Sequence, residues 1–202
     1  MKQQVKPSIP ERMSSATADT SVLRELVGEA QVGSRVAADR LVREHDHWVR
    51  SVIFGVTGRW DLVDDIAQQV WTQVWERLPS LKEPERLRSW LYAVARNAAI
   101  DANQSRRRRS AGSLEAVADS LGDDGRSGPV GSVVGREVRT MLLQAVEALP
   151  VHYREPFVLR HLQDWSYAEI GDLLGLPVET VETRLVRARR LLREMLQDKL
   201  DA

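Results

Sequence analysis

The sequence contains no cysteine, which excludes disulfides and thiolate metal sites. Its four histidines are scattered, so no metal is expected, and nothing in the pattern calls for a cofactor. No glycine-rich loop ending in Gly-Lys-Ser/Thr is present to cradle a nucleotide phosphate, so hydrolysis of a nucleotide is not expected and the chain does not read as an enzyme. Long apolar runs and a signal-peptide pattern are also missing, which predicts a soluble, cytoplasmic chain with no membrane insertion. Lys plus Arg equals Asp plus Glu at 29 each, so net charge makes no case for nucleic acid. Any positive surface must come from local segregation of charge. Aromatic residues are few, yet five of the six tryptophans fall between Trp48 and Trp90, so one half of the chain carries a task the other lacks.

The most informative stretch is Ser166 to Met195, which reads as two helices joined by a tight turn. Ser166 and Glu169 have the spacing of a capping box, in which each side chain satisfies an orphan backbone N–H. Ile170, Leu173 and Leu174 supply an apolar stripe, Gly175 suits a helix end with positive φ, and Pro177 suits the first turn of the next helix. Val181, Leu185, Ala188, Leu192 and Met195 then recur at spacings of four and three, which predicts one buried face. The opposite face carries Thr180, Thr183, Arg184, Arg187 and Arg190. This is the layout of a helix-turn-helix whose second helix presents hydroxyls and guanidiniums to base edges and phosphates.

From the other end, residues 1–20 mix Lys, Gln, Pro, Ser and Thr without apolar period and are expected to be disordered. Helical periodicity begins at Val22, Leu23, Leu26 and Val27. Gly33 breaks it, and a second helix follows through Val36, Ala37, Leu41, Trp48, Val49 and Val52. His45 and His47 do not share a face and read as surface or boundary residues. After a turn at Gly58 to Asp61, an amphipathic helix turns Ile66, Val70, Val74 and Leu78 inward. Asp64 and Asp65 lie in its first turn, where the helix dipole favours carboxylates. That placement leaves the exposed Gln68 and Gln69 unexplained. A connector follows from Pro79 to Arg88, and then a helix with Trp90, Leu91, Val94, Ala98 and Ile100 on its apolar side. Arg96, Asn97 and the run Arg106 to Arg109 share this helix with Trp90 and Tyr92. Basic groups interleaved with aromatics suit single-stranded nucleic acid, since charge follows phosphates and rings receive unstacked bases. Trp90 is equally well read as core.

Residues 110–136 are rich in Gly, Ser, Ala and Asp and read as a flexible linker. Beyond it, Val138, Met141, Leu142, Ala145, Val146 and Leu149 mark an amphipathic helix ending at Pro150, and another runs from Tyr153 to Leu162. Val158, Leu162, Ile170, Leu173, Leu185 and Leu192 are the expected core of this second unit. The fold class is therefore all-α, with two small helical domains (21–109 and 137–202) joined by a linker, the C-terminal one a helix-turn-helix.

In this order the segments resemble a bacterial sigma factor of the sigma-seventy family, in its extracytoplasmic-function (ECF) group. DLVDDIAQQVWTQVWERL resembles the family helix that docks on the largest polymerase subunit. RSWLYAVARNAAIDANQSRRRR is similar to its helix for promoter melting and −10 reading, and the stretch from LPVHYREPF to TRLVRARRLL resembles its −35-reading domain. The resemblance implies contact with core RNA polymerase through Asp65, Gln68 and Gln69, where the family often has Glu at the position of Gln69. It implies −10 DNA contacts at Arg86, Trp90, Arg96, Asn97, Arg106 and Arg107, although the loop SLKEPERL departs from the usual composition. The −35 contacts fall on Thr180, Thr183, Arg184 and Arg187, with Arg160, Ser166 and Tyr167 near phosphates. Glu182 and Glu179 depart from the family pattern of a basic residue and a glycine.

The resemblance thus implies a non-enzymatic protein that partners core RNA polymerase and promoter DNA, both duplex and single-stranded, and that an anti-sigma factor would regulate. The alternative is a helix-turn-helix regulator with a helical sensor or dimerisation domain at its N-terminus. A helical adaptor that never touches nucleic acid is the third reading, and it leaves the Thr–Arg face without a purpose.

Overall fold

In a computed structural model that describes residues 12–111, 133–163 and 165–200, the ends of one long helix are set by two local signals. The Ser34 hydroxyl accepts from the Ala37 amide, and Gly58 adopts a left-handed φ of 68° while its N–H donates to the Phe54 carbonyl. Between them α2 (Arg35–Thr57) buries every residue from Ser51 to Val56, so this part of the helix has no solvent face. A helix covered all round sits at the centre of a fold. Four helices pack on α2: α1 (Arg12–Gln31), α3 (Val63–Arg77), α4 (Leu87–Ala111) and α6 (Val151–Gln163).

Short 3₁₀ turns at Trp60–Leu62, Leu78–Ser80 and Pro84–Arg86 link α2, α3 and α4. Val63, Ile66, Ala67, Val70, Trp71 and Val74 form the inner side of α3, and Leu78 is buried just beyond it. In α4 the small residues Ala95, Ala98 and Ala99 are buried, which lets its backbone approach α2 closely. The C-terminal unit adds α5 (Val133–Ala148), α6, α7 (Tyr167–Leu174) and α8 (Val178–Leu200). Its core joins Ala145, Val146 and Leu149 to Val158, Leu159, Ile170, Val181, Leu185, Ala188 and Leu192. The expected capping box is present: the Ser166 N–H donates to Glu169 Oε2 at 2.7 Å and the Glu169 N–H donates to Ser166 Oγ at 3.2 Å. Gly175 has a φ of 65° as the turn requires. Gly171 matters for a different reason, since a Cβ there would stand 2.7 Å from the Leu176 carbonyl oxygen.

Among the described residues there is no strand, so the all-α class and the two helical units stand. Several expectations need correction. Residues 12–20, expected to be disordered, belong to α1, because their Ala, Ser and Thr residues tolerate extension of the amphipathic helix that follows. Residues 1–11 and most of the expected linker, 112–132, lie outside the described residues. Leu162, expected in the core, is exposed, as are Val36, Val138 and Leu142. Among the described side chains of α5, Ala145 and Val146 are buried while Val138 and Leu142 are exposed, so the apolar stripe outruns the surface that buries it.

Candidate nucleic-acid interface and docking face

Because Val181, Leu185, Ala188 and Leu192 are held in the core, the remaining faces of α8 turn outward. Thr183 and Arg187 are exposed and Thr180 and Arg184 are half-buried. With His152, Tyr153 and Glu179 they line a shallow cleft of about 420 Å³. Thr183 Oγ1 donates to the Glu179 carbonyl at 2.8 Å, which leaves the hydroxyl oxygen as an acceptor. Arg160, on α6, has its Nη1 donating to the Trp165 carbonyl at 2.9 Å and its guanidinium 5.5 Å from the Tyr167 ring centroid. Ser166 is committed to the start of α7: its hydroxyl also donates to Glu169 Oε2 at 2.7 Å. These bonds hold the Glu169 carboxyl below its ordinary pKa. The seven residues expected to read duplex DNA are therefore gathered on and around one helix-turn-helix, four of them in a single cleft.

On α3, Asp65, Gln68 and Gln69 are all exposed on one face, three and four residues apart. The inner side of α3 is anchored by Trp71, whose indole N–H donates to Asp46 Oδ1 at 2.8 Å. Asp46 also takes the Arg50 Nε at 2.5 Å, and Arg50 reaches on to Asp64. Asp64 is thus tied to α2, while Asp65 faces outward.

The residues expected to meet the −10 strand are more dispersed. Trp90 is half-buried against the core, and Asn97, seven residues on, is exposed on the same side of α4. Arg86 is exposed and pairs with Glu83 at 2.7 Å. Its loop is pinned from α1, with Gln31 Nε2 donating to the Leu78 and Leu81 carbonyls at 2.9 and 2.8 Å and Arg24 bonding Glu85. Arg96 and Arg106 line another cleft, of about 660 Å³, with Arg59, Asn103, Gln104 and Arg154. The side chain of Arg107 lies outside the described residues. Arg96 is not free: its Nε donates to Glu155 Oε1 of α6 at 2.7 Å, a bond that raises its pKa. The Tyr92 hydroxyl donates to the same carboxylate oxygen at 2.5 Å. Tyr92 is buried, which raises its pKa, and its ring is not available to stack on a base.

Glu155 is not marked out by the sequence pattern, nor are Arg154, Trp165 and Arg88. Trp165 stacks on Trp48 with ring centroids 6.0 Å apart, and Arg88 sits 4.3 Å above the Trp165 ring. The one tryptophan outside the N-terminal cluster and the acid–base pair beside the apolar stripe of α6 were the available signals. Among the described residues, no group of three or more His, Asp or Glu side chains is placed to hold a metal ion. None of the described helices is long and apolar enough to cross a membrane.

This arrangement, a helix-turn-helix joined to a second helical unit with an exposed acid–amide face, is that of a multi-helix transcription protein. Residues 41–109 match the family model described as Sigma-70 region 2, and residues 139–192 match Sigma-70, region 4, so the chain belongs to the sigma-70 family. Its relatives place it in the ECF group, whose members direct transcription initiation. The ECF RNA polymerase sigma factor SigW of Bacillus subtilis is 26% identical over 187 residues, which cover 88% of this chain and 98% of that one. The ECF RNA polymerase sigma-E factor of Escherichia coli is 29% identical over 187 residues, covering 85% and 93%. Two solved structures share the fold. CnrH in complex with the cytosolic domain of CnrY has a TM-score of 0.61 at 24% identity over 87% of this chain and 97% of that chain. RpoE in complex with the anti-sigma factor NepR from Bartonella quintana has a TM-score of 0.59 at 21% identity over 79% and 96%.

Proposed function

We propose that this sigma factor docks on core RNA polymerase through Asp65, Gln68 and Gln69 and reads the −35 duplex with α8. The reading residues are Thr180, Thr183, Arg184 and Arg187, supported by Arg160, Ser166 and Tyr167. The melted −10 strand is received along α4, by Arg96, Asn97, Arg106 and Arg107 together with Trp90 and the loop that carries Arg86. Residues 21–109 and 137–202 are the two working units, and 110–136 join them. The chain acts in the cytoplasm by binding alone, with no chemistry of its own. Capturing bases that have left the stack must offset a few kcal/mol each for unpairing and unstacking. An anti-sigma factor would work by covering the faces around Asp65 and Thr183.

The observation that carries this reading is the exposed Thr–Arg face of α8, backed by a buried Val–Leu–Ala–Leu stripe. A helix held from behind in this way can enter a major groove without rearranging. Glu182 is exposed on the same helix, and a carboxylate there accepts from cytosine N4 but repels phosphate. The −35 sequence should therefore carry cytosine where Glu182 points. The test is run-off transcription with core polymerase on a promoter library. Promoter-specific transcripts that disappear with Asp65→Ala and with Arg184→Ala are expected. Duplex binding without any transcription would favour a helix-turn-helix regulator instead.

A further inference from the structure

The second helix of the helix-turn-helix carries two outward rows, each with a repeat of four residues. Glu179, Thr183 and Arg187 form one, and all three line the cleft described above. Val178, Glu182 and Val186 form the other, about 100° round the helix, and none of them lines that cleft. All three are exposed. Among the described side chains of α8, Val178 and Val186 are the exposed apolar ones, at 43% and 55%. A branched Cβ loses rotamer freedom in a helix that a straight chain keeps, so a solvated valine is a poor choice there. Val178 has a local use: its Cγ2 lies 3.8 Å from where a Cβ on Gly171 would stand, so it leans on the α7–α8 turn. Val186 sits about two turns further along. Glu182 is equally out of place as an ordinary surface residue. An exposed carboxylate on an arginine-rich helix usually pairs with a cation three or four residues away, as Glu194 does with Arg190 at 3.6 Å. The positions three and four residues from Glu182 are Val178, Glu179, Leu185 and Val186, none of them basic. Among the described residues its carboxylate has no ion-pair or hydrogen-bond partner. Nor does the helix dipole account for it, since Glu179 and not Glu182 is the acid of the first turn.

We propose that Val186 is a further specificity determinant of this chain, its methyl groups resting on the C5-methyl of a thymine close to the cytosine read by Glu182. A row that holds a carboxylate and no cation is repelled by the phosphate backbone, so within a groove it lies against base edges. Valine has no donor or acceptor, and the one feature of a base edge that it can select is the thymine methyl, which is presented in the major groove. The spacing fixes the neighbourhood. Residues four apart on a helix are ~6 Å apart along its axis, and successive base pairs rise ~3.4 Å, so the thymine falls one or two pairs from the cytosine. Specificity is thus divided between the rows: the Thr–Arg row bonds bases and phosphates, and the Val–Glu row selects pyrimidines by a methyl and an amino group. This inference rests on the proposed placing of α8 in the −35 duplex, and adds to it the base that Val186 selects.

The test uses the full-length chain assembled with core RNA polymerase. Duplexes with a randomised −35 region are selected for binding, and the enriched element should hold a thymine within two pairs of a cytosine. Each thymine of that element is then replaced in turn by deoxyuridine, which pairs identically with adenine and lacks only the methyl. Binding is read by competition in fluorescence anisotropy. One replacement, at the thymine beside the cytosine, should weaken wild-type binding about fourfold, the ~0.8 kcal/mol of one buried methyl carbon. Val186→Ala, which is exposed and favours helix, should keep its fold by circular dichroism and bind the thymine and uracil duplexes equally. That loss of discrimination is a readout that a merely structural role for Val186 would not produce. An element with no thymine near the cytosine, uracil duplexes that bind the wild type as well as thymine ones, or discrimination that survives Val186→Ala would each overturn the assignment while leaving −35 reading intact. If no −35 element is enriched at all, the proposed placing of α8 falls, and this inference falls with it.

Discussion

The two faces proposed to meet nucleic acid are prepared in opposite ways. Around α8 the side chains proposed to read duplex DNA are exposed or half-buried, and their bonds are local: Thr183 to Glu179 within α8, and Arg160 of α6 to Trp165 just beyond that helix. On α4 the central guanidinium is already engaged by a residue 59 positions away, in the other unit. Under the proposed function, duplex DNA meets the first face as it stands, and a single strand meets Arg96 only after its bond to Glu155 is broken. The difference shows that readiness is set by where the competing partner comes from, since both faces use the same kinds of side chain.

This comparison can be broken most severely at its shared support. Phe54 is 1% exposed and stacks on Trp60 at 4.2 Å, in the part of α2 that both units use. Phe54→Ala should cost about 3–5 kcal/mol. Both units should lose helix in one urea transition followed by circular dichroism; two separate transitions would show that α2 does not support the C-terminal unit. The open face should respond at the level of single contacts. Arg184→Ala should weaken −35 duplex binding by about 10- to 100-fold, the ~1–3 kcal/mol of a bidentate base contact, as read by fluorescence anisotropy. Glu182→Lys should steepen the log–log salt dependence of that binding by about one. The engaged face is tested at the glycine that ends α2. Gly58→Ala forces a left-handed φ on a residue with a Cβ and presses on Arg154, so it should lower thermal stability by about 1–3 kcal/mol.

The smallest effect belongs to the α7 cap. Ser166→Ala should cost about 1 kcal/mol. It should also flatten one limb of the pH–stability curve. A carboxyl whose pKa is depressed on folding contributes stability that is present above its unfolded value and lost as pH falls through the folded one. For Glu169 that loss sets in below its ordinary value of about 4.5, and the variant without the Ser166 hydroxyl should show less of it.

The helix-turn-helix was legible because its signals are local. The capping box, the glycine turn and the four–three stripe each span a few residues, and each is fixed by backbone chemistry that tertiary packing does not override. The helix of α3 and its outward Asp65, Gln68 and Gln69 were legible for the same reason. What periodicity could not supply was how much of a stripe a neighbour would cover: Leu162, expected in the core, is exposed, and so are Val36, Val138 and Leu142 on the apolar stripes of their helices. Nor could it supply the pairing of Glu155 with Arg96 or of Trp165 with Trp48, because those partners are chosen by the packing of α6 on α2. The buried charges of α6 were visible as charges beside an apolar stripe, but not the helix that would receive them.

Arg154 of α6 donates to the carbonyls of Gly55 and Val56 at the end of α2, and the sequence distance across that contact also imposes an order in time. Gly55 and Val56 leave the ribosome about 100 residues before the guanidinium that finishes their helix, an interval of roughly 5–20 s at ~5–20 residues per second. Throughout that interval the N-terminal unit has its α2 groove uncovered and Arg96 without its carboxylate. Each newly made molecule thus passes once through an unlatched stage before it is complete.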